Sequence, residues 1–132
     1  MGRLLAVTSG KGGAGKSSVS VHLASALSDM SNKVLLIDLD AGMRCLDIML
    51  GVSDILLFDL EDVLSGNKSL EDSVITPSCG KGNLHFLAAT LKKKIDIAGF
   101  LKLIDYALTK YDFVMLDLSI NVLCGAVRNY RC

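Results

Sequence analysis

The sequence predicts an α/β fold: a mostly parallel sheet with helices on both faces. Two observations carry this. Short apolar runs recur, each followed by a stretch of helical periodicity, and strand, loop, helix and strand fit within the first 40 residues. That is a βαβ unit, whose two strands run parallel. Alternation of this kind over a whole chain gives a layered α/β sheet.

The elements follow in order. Arg3 to Thr8 is a β-rich apolar run and reads as a strand buried on both faces. A glycine-rich loop follows. From Lys16 the period changes: Val19, Leu23, Leu27 and Met30 recur at near-helical spacing and predict a helix closed by Ser31-Asn32. Lys33 to Asp38 is a second buried strand. A short helix is expected around Leu46 to Leu50, and another from Phe58 to Leu64, stopped by Ser65-Gly66. Thr76 to Gly82 holds the only proline and reads as a loop. Leu84 to Ala88 is a third strand. Ile97, Leu101, Ile104 and Leu108 mark one stripe of a helix over about Ile95 to Lys110. Phe113 to Asp117 is the fourth strand. Lys92-Lys93-Lys94 reads as a solvated helix start. Leu118 to Cys132 has no clear period, so the expected organisation is a domain over residues 1–117 and an atypical tail over 118–132.

Composition narrows the function classes. The chain has 132 residues, 51% of them hydrophobic, and a formal net charge of zero. That suits one packed domain and argues against disorder. No basic field points to nucleic acid. No apolar run reaches the roughly 20 residues that span a bilayer, and the start is too short for a signal-peptide core. A cytoplasmic address is therefore expected, and Cys45, Cys79, Cys124 and Cys132, which show no metal-site spacing, read as reduced thiols in that compartment. His22 and His85 are isolated and read as helix-face or core-edge residues.

One motif carries chemistry. Gly10-x-x-x-x-Gly15-Lys16-Ser17 fits the phosphate-binding pattern G-x-x-x-x-G-K-[ST]. It follows a predicted strand and opens a predicted helix, the context the pattern requires. The glycines let backbone N–H groups turn inward around phosphate oxygens, and the helix start adds partial positive charge. Lys16 is expected on the β- and γ-phosphates, and Ser17 on Mg²⁺. Asp38 and Asp117 end strands, which puts carboxylates at the carboxyl edge of the sheet, where open α/β sheets bind ligands. Asp40 lies just beyond.

SGKGGAGKSS, then VLLIDLDAGMRCLDIMLGV, then LFDLEDVLSG resemble the MinD branch of the MinD/ParA family of P-loop ATPases, which carry a deviant Walker A motif K-G-G-x-G-K-[ST]. LHFLAA and YDFVMLD fall where that family has its next two strands. The resemblance runs from residue 1 to about 117. It implies a P-loop NTPase fold of which about four strands are present, the carboxyl-terminal half being absent. It implies ATP and Mg²⁺ as ligands and ATP hydrolysis as the activity. It gives Lys11 the part of the signature lysine, which reaches the nucleotide of a second copy in an ATP-dependent homodimer. Lys16 and Asp40 join it as catalytic residues, Asp40 orienting the attacking water. Gly10, Lys11, Gly12, Gly13, Ala14, Gly15, Lys16, Ser17 and Ser18 would bind phosphate. Ser17, Asp38 and Asp117 would hold the metal, with Asp117 as the Walker B acid.

The MinD branch also implies a division-inhibitor-type protein partner, septum placement, and membrane contact through a carboxyl-terminal helix. ParA-like or flagellar-number-type partition ATPases are the alternative within the family. A non-hydrolysing binding module, or a non-functional fragment, is the alternative outside it. Two positions depart from the family pattern. Cys45 stands where the family usually has Asn. Leu118-Ser119-Ile120-Asn121 follows Asp117, where the family reads x-P-A-G. This change of character at Leu118 leads us to expect a frameshift, truncation or fragment.

Overall fold

The computed structural model describes residues 2–7, 15–39, 60–66, 68–77, 83–88 and 97–117. Eight elements lie within them: β1 (Arg3–Val7), α1 (Gly15–Asp29), β2 (Val34–Asp38), α2 (Leu60–Leu64), α3 (Leu70–Ser73), β3 (Leu84–Leu87), α4 (Ile97–Lys110) and β4 (Phe113–Asp117). The strands form one sheet in the order β1-β4-β2-β3, and every pair is parallel. The expected helix at Leu46 to Leu50 and the tail from Leu118 lie outside the described residues.

Parallel strands buried on two faces must alternate their side chains between two cores, and these do. Leu35, Ile37, Leu87, Val114 and Leu116 pack with Phe100, Leu103, Ile104 and Ala107 of α4. Val34, Leu36, Leu84, Phe86 and Met115 pack with Ala24 of α1. Helices therefore cover both faces, as the alternation of elements predicts. Every residue of β2 is buried. On α4 the predicted stripe holds at Ile104 and Leu108, and Phe100, Leu103 and Ala107 widen it.

One expectation is corrected, and the α1 stripe holds in part. β1 is not buried on both faces: Arg3 and Ala6 are exposed, because β1 lies at one end of the strand order and has β4 on one side only. Of the stripe read on α1, Leu27 packs against the sheet cluster. Val19, Leu23 and Met30 are exposed, whereas Ser20, Ala24 and Ser28, spaced i, i+4 and i+8, are fully buried. Small side chains at Ser20, Ala24 and Ser28 let the helix lie close on the sheet, with Val21 and Leu27 packed against the same cluster. The hydroxyls of Ser20 and Ser28 are buried without a hydrogen-bond partner.

The strand starts are pinned by backbone groups. Asp112 N–H donates to the Lys33 carbonyl at 2.8 Å. The Lys33 N–H donates to Asp112 Oδ2, also at 2.8 Å. Gly2 N–H donates to the Leu108 carbonyl at 2.9 Å. A Cβ at Gly2 would overlap the Tyr111 carbonyl oxygen, so this approach requires glycine. The outer side of β3 is partly covered by Ile75, which exchanges backbone hydrogen bonds with Phe86 at 2.9 and 2.8 Å. Across β3, Nδ1 of His85 lies 2.6 Å from the Tyr111 hydroxyl.

The end of α1 generates a first prediction. Asn32 N–H donates to the Leu27 carbonyl and Ser31 N–H to that of Ser28. This is a Schellman closure with Ser31 in the left-handed region at φ 67°. Ser31→Gly should remove the Cβ strain and raise stability by about 0.5–1 kcal/mol. Urea melts of the two proteins measure it; an unchanged or lower midpoint contradicts the assignment.

The second concerns acid stability. Burial, and then the nearby Lys33 cation, lower the His85 imidazole from 6.5. Burial, with Glu71 and Tyr106 adding to it, pushes Tyr111 up to about 12, so its hydroxyl stays protonated and is able to donate to neutral His85. Below about pH 6.5 the unfolded chain takes up a proton that the folded chain does not. Stability should thus be full above that pH and fall as pH drops towards the lowered folded value. His85→Gln should flatten this part of the profile. Melting midpoints between pH 7.5 and pH 5 should converge for the two proteins at the acid end.

Candidate functional site

The site is built where β1 ends and α1 begins. Val7 closes β1 at the carboxyl edge of the sheet, and Gly15 opens α1. Gly10, Lys11, Gly12, Gly13, Ala14 and Asp40 lie outside the described residues. Gly15, Lys16, Ser17 and Ser18 form the first turn of α1; only their helical backbone is described. That turn carries no acidic side chain, so nothing there neutralises the partial positive charge of the helix start.

Asp38 and Asp117 are the last residues of β2 and β4 and are register partners. Adjacent strands lie about 4.8 Å apart, so the two carboxylates are neighbours. Each is about 1% exposed. Alternation fixes their face: Val34 and Leu36 on β2, and Phe113 and Met115 on β4, pack in the α1 cluster, so Asp38 and Asp117 share it. Asp117 is also the register partner of Val7 on β1. The Leu39 N–H donates to the Asp117 carbonyl at 3.0 Å and ties the two strand ends together.

The structure thus brings Asp38, Asp117 and the first turn of α1 to one edge and one face. Two buried carboxylates side by side repel each other unless a cation or proton compensates. Their hard oxygen donors suit Mg²⁺. Among the described residues no cluster of three or more His, Cys, Asp or Glu forms. A cation here would complete its shell from phosphate oxygens and water, which matches the reluctance of Mg²⁺ to dehydrate. The residues present therefore fit a magnesium-bound phosphate ligand.

Sequence reasoning identified Asp38 and Asp117 separately, as strand ends. It did not show that they are lateral neighbours. That follows from β4 entering between β1 and β2, for which one sequence holds no local signal. The His85–Tyr111 contact was also missed, since the two residues are 26 positions apart and belong to no motif. No helix among the described residues is long and apolar enough to cross a membrane.

Comparison with known proteins places this geometry. Residues 5–120 match the CobQ/CobB/MinD/ParA nucleotide binding domain. The septum site-determining protein MinD of Helicobacter pylori is 35% identical over 128 residues, which is 95% of this chain and 47% of that protein. The MinD of Thermotoga maritima is 32% identical over 134 residues, covering 99% and 48%. Among solved structures, the MinC:MinD cell division protein complex of Aquifex aeolicus superposes with a TM-score of 0.79 at 33% identity, covering 89% of this chain and 47% of that one. MinD complexed with Mg-ADP from Pyrococcus horikoshii superposes with a TM-score of 0.75 at 36% identity, covering 89% and 49%. The chain spans about half the length of these relatives. Its parallel sheet with helices on both faces is the P-loop NTPase fold of MinD, and the chain belongs to the CobQ/CobB/MinD/ParA family of nucleotide-binding domains.

Proposed function

We propose that the chain carries the phosphate site of a MinD-type ATPase, binding Mg-ATP and coupling its hydrolysis to pairing of two copies in division-site placement. One observation supports this most: Asp38 and Asp117 are buried register partners on the α1 face, beside the strand-to-helix loop. The domain occupies residues 1–117, with 118–132 as a tail. In relatives of known structure, one MinD holds Mg-ADP and another is in complex with MinC. These support the ligand class and a division-inhibitor-type partner. By the same reading the protein works in the cytoplasm, its longer relatives meeting the inner membrane face.

Each residue then has a task. Backbone N–H groups of Gly10 to Ser18 surround the phosphates, and Lys16 holds the β- and γ-oxygens. Ser17, Asp38 and Asp117 hold Mg²⁺, which when bound neutralises phosphate charge. Asp40 orients the attacking water. Lys11 of one copy reaches the nucleotide of the other, where a cation offsets the charge developing on the leaving phosphate. This explains why two lysines stand five positions apart in one loop: one acts within the copy and one across the pair. A second reading has support in Leu118 to Asn121, which replace the family's x-P-A-G after Asp117. On that reading the chain binds nucleotide without turning it over.

The test is titration with a fluorescent ATP analogue and Mg²⁺, together with phosphate release. Lys16→Ala should abolish saturable binding. Lys11→Ala should still bind, with turnover lower by about 10³-fold, the scale of a cation supplied in trans. Binding by the parent chain without any turnover would select the second reading, and no binding at all would sink both. Asp38→Asn should separate metal from phosphate. It should raise the Mg²⁺ concentration needed for half-maximal analogue binding by about tenfold or more, and leave metal-free binding unchanged. An unaltered Mg²⁺ requirement in both Asp38→Asn and Asp117→Asn would remove the carboxylates from the metal shell.

A further inference from the structure

Ser20 has no task in the site as described so far. It is fully buried on the sheet side of α1, and its hydroxyl has no hydrogen-bond partner. A serine inside a helix often bonds the carbonyl one turn before it; this one does not. Alanine would seat the helix as closely without burying a lone hydroxyl, which costs stability.

The place of Ser20 along the sheet follows from the other end of α1. Asn83 Nδ2 donates to the Ser28 carbonyl at 3.4 Å, and the Asn83 carbonyl accepts from Val34 N–H at 3.0 Å. Ser28 therefore stands at the amino edge, level with the start of β2. Ser20 and Ala24 are fully buried, and Ala24 shares a cluster with Leu36 and Met115, so α1 runs from Ser28 back over the sheet. Ser20 is eight residues from Ser28, about 12 Å at 1.5 Å per residue. Asp38 is four residues from Val34, about 13 Å at 3.3 Å per residue. The two spans match, and Asp117 is the register partner of Asp38. Ser20 thus stands level with both carboxylates, on the face of the sheet that they share.

We propose that Ser20 is a positioning residue of the metal–phosphate site: in the loaded site its hydroxyl donates a hydrogen bond to a carboxylate of the Asp38–Asp117 pair. The inference rests on the reading of that pair as metal ligands. A carboxylate accepts up to about four such bonds, so this donor adds to those already made. Holding one oxygen orients the group and leaves its other lone pairs to a cation. Partners of this kind govern metal affinity without touching the metal. Ser20 is at zero exposure and both carboxylates are near 1%, and in so dry a place a hydrogen bond to a charge is strengthened. Ser28 is the internal comparison. It is equally buried and its hydroxyl equally lacks a partner, but it stands at the opposite edge, out of reach of the pair.

Binding of a fluorescent ATP analogue to the full chain, titrated with Mg²⁺, tests this in Ser20→Ala and Ser28→Ala. Both substitutions remove a buried lone hydroxyl and suit a helix, so both should fold, with ligand-free urea midpoints at or above that of the parent. Ser20→Ala should raise the Mg²⁺ concentration for half-maximal binding about tenfold, and Ser28→Ala should match the parent. At fixed concentrations of Mg²⁺ and analogue, the ligand-induced rise in urea midpoint should also be smaller in Ser20→Ala. An unchanged Mg²⁺ requirement in Ser20→Ala overturns the proposal and leaves the metal site standing. An equal shift in Ser28→Ala, or a matching loss of metal-free binding in Ser20→Ala, overturns it too, because either reports the seating of the helix and not a bond to a carboxylate. Binding by the parent that ignores Mg²⁺ removes the metal reading itself, and the role of Ser20 with it.

Discussion

The entry of β4 between β1 and β2 is the constraint on which the rest of this structure depends. Without it, Asp117 would have no strand beside it at the level of Asp38, and β1 would not align its last residue with either. With it, Val7, Asp117 and Asp38 stand at one level across three strands. β1 ends at the first of these, and the carboxylates occupy the other two. The opposite end of the sheet sets this register. Asp112 and Lys33 exchange backbone and side-chain hydrogen bonds just before β4 and β2 begin. Strands of equal length that start level also end level, so a clamp at the amino edge decides which residues meet at the carboxyl edge.

Those meeting residues work against stability. Two carboxylates about 1% exposed, on adjacent strands, cost desolvation and repel each other when both are ionised. The strands that end in them are otherwise apolar, and on β2 the residues Val34, Leu35, Leu36 and Ile37 are all at zero exposure. Such a core tolerates a costly edge because the burial is spread over both faces. The same division appears in α1, whose first turn faces the site while Ser20 and Ser28 keep buried hydroxyls without partners further along.

How much of this was legible depended on whether the signal was local. The four strands were, because a buried parallel strand is a short apolar run with a polar end, and Lys33 to Asp38 and Phe113 to Asp117 are of that form. The phosphate loop was legible because its chemistry demands glycines and a lysine at fixed spacing. The buried face of α1 was not. Counting large apolar residues selected Val19, Leu23, Leu27 and Met30, of which only Leu27 packs against the sheet cluster, whereas the fully buried positions are Ser20, Ala24 and Ser28, since closeness to the sheet limits side-chain volume. The union of Asp38 with Asp117 was not legible either. It depends on strand order, which is settled by which helix crosses which face and leaves no mark on either segment alone.

The two sides of α1 therefore follow different rules. A helix whose small residues lie on the sheet sits deep, and a deep helix presents its first backbone N–H groups at the level of the strand ends. Large residues at positions 20, 24 and 28 would lift it away from the sheet and its N-terminus away from Asp38 and Asp117. Hydrophobic residues displaced from that contact have only the outer faces left to occupy. The exposed stripe on α1 is in this sense the counterpart of the buried serines. Close seating of the helix leaves Val19, Leu23 and Met30 on its outer side, where they are exposed.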